Sequence, residues 1–506
     1  MNVVNQFTKI IFPFRYEKKT VMPSLATVKN KSGDSVPLFE ATSIGATNLR
    51  SGLDLLLDKN GGSANICECY RLDPNRRKHF DLPPHITEAI PFEPRQEKRA
   101  FNVAITDVRI FLFESLVGAV EVEFAYPDCT IDDFVILNYY LAEAKSKANV
   151  FTYTPEDWDP VAKKKVKKED EKKTFTIADI LSKISDCVCV GDNKLEYTYY
   201  DAKPLAYSHL LLPERPLDFD SLIYHASKNY NDSYKYADNS GTKVYTPFEN
   251  SVWGATMNGA VNISCITGDP KTDAFFSDEF IPKLHSTYYY LFINAVHQRL
   301  LLERIMANMG ELDYLGKNYE RMKEQLKAAK ACNEEAARLK FRAFFDLPST
   351  IDHVNSYYDN VREAFGITRL CENFDRDISN LSAICNSYVD RIKERDKKIS
   401  DIRKAKAEIF VSVFGTVVGE VALLNSSWEL LEKLLGREVG LFSVQMIAVL
   451  GALVVPIVTV IVNTFYQIKA IKKMEREVAD ERRERLVEDD KIRRIRARIK
   501  KKRKKN

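Results

Sequence analysis

The longest apolar stretches of the chain lie near its carboxyl end, where a short polar segment separates them. Leu441 to Ile468 contains no charged residue, and Ile409 to Trp428 contains only Glu420. A helix rises about 1.5 Å per residue, so each stretch is long enough for a hydrocarbon layer about 30 Å thick. The polar residues from Asn425 to Gly440 predict a short outer loop. The pattern therefore predicts a two-helix transmembrane hairpin.

The charges that flank these stretches predict their orientation. Basic residues are concentrated from Lys393 to Lys406 and again from Lys469 to Arg476, whereas the loop between the stretches is weakly acidic. Segments rich in Lys and Arg stay on the cytoplasmic side of a membrane. We therefore expect a multi-pass protein of the cell inner membrane with both termini in the cytoplasm.

Nearer the amino end the apolar residues follow the periods of strands and shorter helices. In Ala119 to Tyr126 they alternate with glutamates, which predicts a strand with one buried face. Val103 to Phe113 predicts the other strand of a hairpin. Thr130 and Asp133 have the spacing of a capping box and predict the start of a helix.

These changes of pattern divide the chain into six parts. They are an α/β cytoplasmic, ligand-sensing domain (1–280, with a basic insertion near 161–173), intermediate helices (281–366), a stalk helix with the first span (367–428), an outer loop (429–440), a second span (441–468) and a basic cytoplasmic tail (469–506). The predicted fold class is an α+β cytoplasmic domain followed by a long α-helical stalk and a two-helix transmembrane hairpin.

The stalk repeats apolar residues every seven positions, which predicts contact with neighbouring helices along a seam. The two rows of this heptad are Ile378, Cys385, Ile392, Ile399 and Leu381, Tyr388, Arg395, Ile402. Continued into the first span, the seam predicts the pore-lining residues Ile402, Ile409, Val413, Thr416, Glu420 and Leu423. Gly415 and Gly419 would let two backbones approach closely.

Glu420 is the only charged residue of the first span. A carboxylate in lipid costs at least a few kcal/mol, so we expect it to face protein, water or a pore. A ring of Glu420 side chains is typical of a cation-selective pore, and Asn425, Glu429 and Glu432 would form its outer mouth. The alternatives are local pairing of Glu420 within one hairpin and a first span that lies on the membrane surface.

Composition and motifs narrow the functional classes. The segment from Lys469 to Asn506 has 18 basic and 8 acidic residues within a chain of net charge +4, which predicts contact with anionic lipid and no direct nucleic-acid binding. No metalloprotease motif, phosphate-binding loop or nucleophile elbow is present, so we predict no enzyme. Arg109 could meet a phosphate but is more simply salt-bridged, and Trp253 is interpreted as a core residue.

The order of these parts resembles the CorA superfamily of divalent-cation channels. That resemblance implies a homopentamer whose first spans line the pore. The family's Gly-Met-Asn signature is replaced here by Leu423-Leu424-Asn425. The missing signature and the large amino-terminal domain are more similar to CorA-type effectors associated with type III CRISPR systems. This branch implies gating by a nucleotide second messenger, an S-adenosylmethionine-AMP conjugate, with antiviral membrane disruption as the outcome.

Three functions follow as expectations. The first is a nucleotide-gated pore that acts as an antiviral effector and permeabilises the inner membrane. The second is a transporter of a divalent cation such as magnesium, and the third is a membrane-tethered scaffold that binds a partner. No cofactor is required in any of them, and the expected partner of the chain is itself.

Overall fold

The computed structural model describes residues 1–16, 26–29, 33–51, 53, 56–57, 65–143, 146, 148–159, 164–167, 171–189, 204–231, 233–237, 241–310, 319–435, 454–455 and 458–476. The chain forms two compact units. Unit 1 comprises Met1–Gly310 and Glu335–Asp377, and unit 2 comprises Glu311–Glu334 and Ile378–Asn506.

The strands of the described residues all belong to unit 1. They are β1 (Asn5–Arg15), β2 (Thr27–Lys29), β3 (Ser35–Pro37), β4 (Phe39–Thr42), β5 (Cys67–Leu72), β6 (Ala89–Glu93), β7 (Phe101–Phe113), β8 (Val117–Ala125), β9 (Val150–Tyr153), β10 (Glu156–Asp159), β11 (Lys164–Lys167), β12 (Lys173–Phe175), β13 (Leu205–Leu212), β14 (Lys243–Phe248), β15 (Ser251–Thr256) and β16 (Gly259–Cys265).

The helices become longer toward the carboxyl end of the chain. They are α1 (Ile131–Leu141), α2 (Ile177–Val188), α3 (Phe219–Lys228), α4 (Pro270–Ala274), α5 (Phe280–Lys283), α6 (Tyr289–Gly310), α7 (Tyr319–Ala343), α8 (Asp352–Ala364) and α9 (Ile367–Leu435). Two π-helical turns, Phe275–Glu279 and Leu284–Tyr288, precede α6. Residues 458–476 form a further helical run in unit 2.

A 12-stranded mixed sheet forms the centre of unit 1. Its main strand order is β12-β9-β6-β7-β8-β1-β13-β16-β15-β14, and β5 joins β4 to β7. The neighbours are antiparallel apart from β13 and β16. The predicted hairpin is confirmed as β7 and β8, and the predicted capping box of Thr130 and Asp133 is confirmed at the start of α1.

Both faces of this sheet are covered by helices. On one face, Phe12, Val122 and Phe124 belong to an apolar core with residues of α1, α2 and α3. On the other face the ring of Phe113 stacks on His297 of α6, with 4.2 Å between ring centroids. The prediction that β8 has a single buried face is therefore wrong, because α6 covers the side that carries its glutamates.

A bulge in β7 changes which of its side chains face α6. The pairing register between β7 and β8 shifts between Ile105 and Asp107. Ile105 lies before the shift and Val108 after it, yet both contribute to the core with α1 to α3. A bulge re-aims the residues that follow it. Asp107 and Arg109 consequently face the same side as the glutamates of β8.

The described residues of unit 2 form helices. Helix α9 is continuous over 69 residues, of which the part from Ile378 onward belongs to unit 2. An ion pair between Lys406 and Glu475 links α9 to the 458–476 helix. In the predicted heptad, Ile392, Ile399 and Ile402 are half-buried. Their partial burial fits helices that pack along this side of α9.

The predicted membrane architecture is corrected by the structure. In the part of the chain that is described, no helix combines the length and the apolar character needed to cross a bilayer. The first predicted span is a segment of α9, which carries charged residues before it and continues into the predicted loop as far as Leu435. The predictions of a transmembrane hairpin, an ion channel and a multi-pass inner-membrane protein are therefore wrong. In the second predicted span, 441–453 and 456–457 lie outside the described residues.

Candidate functional site

Seven side chains of unit 1 form a buried ionic cluster between the sheet and α6. They are Lys9 of β1, Arg71 of β5, Asp107 and Arg109 of β7, Glu121 and Glu123 of β8, and Tyr289 of α6. Strand pairing sets Lys9 opposite Glu123, and Arg109 opposite Glu121. The alternation of strands and the bulge in β7 together bring these charges to one face.

Lys9 occupies the centre of the cluster, with its side chain fully buried. Its ammonium nitrogen lies 3.0 Å from Oε1 of Glu121 and also bonds the carboxylate of Glu123. The Tyr289 hydroxyl donates to the other carboxylate oxygen of Glu121, and the Lys9 ammonium lies 4.7 Å from the centroid of the Tyr289 ring. The buried charge is therefore paired, hydrogen-bonded and in contact with an aromatic face.

Asp107 forms the second half of the cluster. Its Oδ1 lies 2.9 Å from Nε of Arg71, and its Oδ2 lies 2.8 Å from Nη2 of Arg109. The Arg71 side chain is 41% exposed, so the cluster reaches the surface on this side. Three carboxylates and three basic side chains are thus brought together, and their formal charges cancel.

The electrostatics maintain this charged state. Burial alone would lower the pKa of Lys9, but Glu121 and Glu123 outweigh burial and raise it. Burial would raise the pKa of Glu123, but Lys9 and then His285 outweigh it and lower that pKa. Burial and hydrogen bonding to Glu121 hold the pKa of Tyr289 far above its ordinary value. At neutral pH, Lys9 and Glu123 are charged and Tyr289 is a neutral donor.

This arrangement leaves little room for catalysis or metal binding. A lysine nucleophile must be neutral, whereas Lys9 is held as an ammonium. The carboxylates of Asp107, Glu121 and Glu123 lie within 4.8 Å of one another, a spacing that could hold a cation. The Lys9 ammonium and the two guanidinium groups already supply the positive charge there. The cluster is best suited to fixing α6 on the sheet.

A row of polar side chains continues across the same face of the sheet. Nδ1 of His209 lies 3.0 Å from Oδ1 of Asn262, which also accepts from the hydroxyl of Ser264. Nε2 of His209 has no hydrogen-bond partner among the described residues. Burial lowers the pKa of His209 to about 4, and burial with the charge of Lys9 lowers that of His285 to about 4. Both imidazoles are therefore neutral in the folded chain at neutral pH.

Unit 2 exposes apolar side chains at its surface, in contrast to the buried charges of unit 1. An apolar band exposes large side chains on α9 and on the 454–468 segment. Its members are Phe410, Val411, Val413, Phe414, Val418, Val454, Val455, Val458, Ile461, Val462, Phe465, Tyr466 and Ile468. The rings of Phe410 and Phe414 stack with 6.2 Å between centroids. Phe410 is 71% exposed and Phe465 is 67% exposed, so the described residues of the chain leave the band uncovered.

The residues predicted to line a pore are distributed along α9. Ile402, Ile409 and Thr416 are half-buried, and Val413 is 39% exposed. The other predicted residues have helical backbones whose side chains lie outside what the structure describes. These are Glu420, Leu423, Asn425, Glu429 and Glu432. The proposed ring of Glu420 therefore stays a prediction.

Other sequence interpretations concern unit 1. Arg109 is salt-bridged, as its simpler interpretation predicts, and Trp253 is 1% exposed in an aromatic core with Tyr288 and Tyr357. Lys9 and the carboxylates of the ionic cluster were not predicted as a site. The available clue was a lysine placed within the apolar run of β1.

Comparison of the chain with protein-family models and with curated proteins found no match.

Proposed function

We propose that this protein is a self-assembling interaction protein. Unit 2 joins copies of the chain through the apolar band, and unit 1 is the folded domain that each copy contributes. The observation that carries the proposal is the exposure of the band. Contiguous apolar surface of this kind marks interaction sites, whereas apolar residues scattered singly over a surface do not.

The proposal favours a second copy as the occupant of the band. Its valine, isoleucine and phenylalanine side chains are self-complementary, and most oligomers are symmetric assemblies of identical chains. Burying one such side chain contributes about 1.5–3 kcal/mol, so a few contacts are enough for association. The resemblance to CorA proteins makes five copies the expected number.

Two glycines support close packing of copies. Gly415 and Gly419 lie one helical turn apart on α9, and a Cβ added to either would meet nothing within 4 Å. Among the described residues, nothing packs against these two positions. They leave room for the backbone of a neighbouring helix.

The nucleotide second messenger, the divalent cation and the antiviral role remain predictions from the resemblance. The pore, the transporter and the membrane tether all require the predicted hairpin, so the proposal does not include them. The proposal also assigns no catalytic step, because the ionic cluster is fully paired.

The mass of the purified chain in solution tests the proposal. We expect an oligomer by sedimentation equilibrium, and a monomer for the double variant Phe414→Lys and Phe465→Lys. The matched control is Val244→Lys with Met257→Lys, which changes residues that are 52% and 54% exposed in unit 1. The control should keep the wild-type mass, and circular dichroism should show intact helices in both variants.

Three results would contradict self-assembly. The first is a monomeric wild-type chain over the accessible concentration range. The second is a wild-type mass in the Phe414→Lys and Phe465→Lys variant, since a charged side chain cannot be buried in a band-to-band contact without a large cost. The third is binding of the chain to liposomes while the chain in solution stays monomeric, which would assign the band to a different occupant.

A further inference from the structure

A cluster of positive charge directly adjoins the apolar band in both segments. This basic collar consists of Arg403, Lys404 and Lys406 on α9 and Lys469, Lys472, Lys473 and Arg476 on the 458–476 helix. All seven side chains are exposed. The same two stretches, 403–408 and 469–476, contain only the acidic residues Glu408 and Glu475. The collar therefore has a net charge of +5 in each copy.

The collar is only partly neutralised within the chain. In the described segments, Lys406 pairs with Glu475, and the other six basic side chains form no ion pair. Like charges that are brought together repel each other, and exposed charges closer than about 10 Å are incompletely screened at moderate salt. The collar therefore opposes the approach of a second collar.

Helical geometry brings the collar to the surface that the band uses. In the 458–476 helix, Ile461, Val462 and Phe465 follow Val458 by three, four and seven residues. Lys472, Lys473 and Arg476 follow Lys469 at the same spacing. Residues at this spacing lie on one face of a helix. The same face is therefore apolar first and basic afterwards.

Along helix α9 one face changes from basic to apolar, the reverse of the order in the 458–476 helix. Arg403, Lys406, Phe410, Phe414 and Val418 follow one another at three or four residues, so they also share a face. From Lys406 to Phe410 the helix rises only about 6 Å. An assembly that packs the apolar faces of copies side by side in the same direction brings the basic faces of neighbouring copies close to each other.

We propose that the basic collar binds a small polyphosphate anion, which bridges neighbouring copies and drives their assembly through the apolar band. The proposal rests on the self-assembly proposed above. Lysine and arginine form charge-assisted hydrogen bonds to phosphate oxygens. A chain of phosphates presents several negative charges at once, so one anion can neutralise basic side chains from two copies. A monovalent salt can only screen them.

A titration of the full-length chain with sodium tripolyphosphate tests this inference. Assembly is followed by mass photometry, and a parallel titration uses sodium chloride at matched ionic strength. We expect tripolyphosphate to lower the protein concentration needed for half-assembly by about tenfold, equivalent to about 1.4 kcal/mol. Sodium chloride should produce a much smaller shift.

A triple variant identifies the site. Lys469→Gln, Lys472→Gln and Lys473→Gln together remove three collar charges and retain good helix formers. We expect this variant to lose the response to tripolyphosphate and to assemble more readily than the wild type without it, because the repulsion is reduced. The control variant Lys393→Gln, Lys397→Gln and Lys398→Gln removes three charges of α9 outside the collar and should keep the wild-type response.

Specific results would overturn the inference. Equal shifts with tripolyphosphate and sodium chloride would show screening without a site, and an unchanged response in the collar variant would place the anion elsewhere. Calorimetry on the same samples separates this inference from self-assembly. Collar-dependent binding of tripolyphosphate with no change in mass would overturn the link to assembly. Assembly through the band without any tripolyphosphate binding would overturn the collar site alone.

Discussion

Unit 1 buries charged side chains, whereas unit 2 exposes apolar ones. Lys9 and Glu121 of unit 1 have no exposed side-chain surface, yet Phe410 and Phe465 of unit 2 are mostly exposed. Burial of a charge is tolerated when its partners are supplied inside the fold, as they are in the ionic cluster. Exposure of an apolar band is tolerated when another surface covers it. The contrast teaches that unit 1 supplies partners for the charges it buries, while unit 2 exposes apolar surface that the proposed assembly would cover.

The largest expected effect comes from unpairing the ionic cluster. Lys9→Met leaves Glu121 and Glu123 buried without their cation, which should reduce the free energy of unfolding by about 3–5 kcal/mol. Urea unfolding followed by circular dichroism measures the loss. Lys173→Met is the matched control, because it removes a partially exposed ion pair with Asp81 and should cost less than about 1 kcal/mol. Equal losses in the two variants would contradict the distinction between buried and exposed pairs.

Acid provides a second way to disturb the interior of unit 1. The pKa values of His209 and His285 are lowered to about 4 in the folded chain, so protons bind more tightly to the unfolded chain. The stability that the neutral imidazoles contribute is present above about pH 6.5 and is lost as the pH falls toward 4. We expect a loss of about 3 kcal/mol per histidine over this window.

Urea unfolding at a series of pH values tests the acid dependence. His209→Gln should make the dependence shallower, because it removes one of the buried histidines that bind a proton on unfolding, which also include His285 and His297. His79→Gln, which alters an exposed histidine outside the buried set, is the matched control. A wild-type stability that stays constant between pH 7 and pH 5 would contradict the neutral state of the buried imidazoles.

The smallest expected effect comes from the two glycines of α9 in unit 2. Gly415→Ala and Gly419→Ala place methyl groups in open space within one copy, and each should stabilise α9 by about 0.5–1 kcal/mol. If the backbones of neighbouring copies meet at these glycines, the same changes should weaken assembly. Thermal unfolding and sedimentation measure the two effects separately. A more stable chain with unchanged assembly would exclude close packing at these positions.

Short sequence patterns predicted part of the local structure of unit 1. The alternation from Ala119 to Tyr126 predicted β8, and Thr130 with Asp133 predicted the start of α1, because both depend on neighbouring residues alone. The prediction of a transmembrane hairpin was wrong because the length and apolar content of a stretch do not show whether the helix continues beyond it. The first stretch proved to be part of the 69-residue helix α9.

The sequence by itself determined the order of strands followed by long helices, the apolar character of 409–468 and the basic residues beside it. These are properties of composition and of the periods of helix and strand. Only the tertiary structure decided that the glutamates of β8 are buried. The bulge in β7 depends on how the β7–β8 hairpin pairs, and the covering of that face by α6 depends on contacts between distant residues, such as Glu121 with Tyr289. Contacts across more than a hundred residues leave no local period from which they could be predicted.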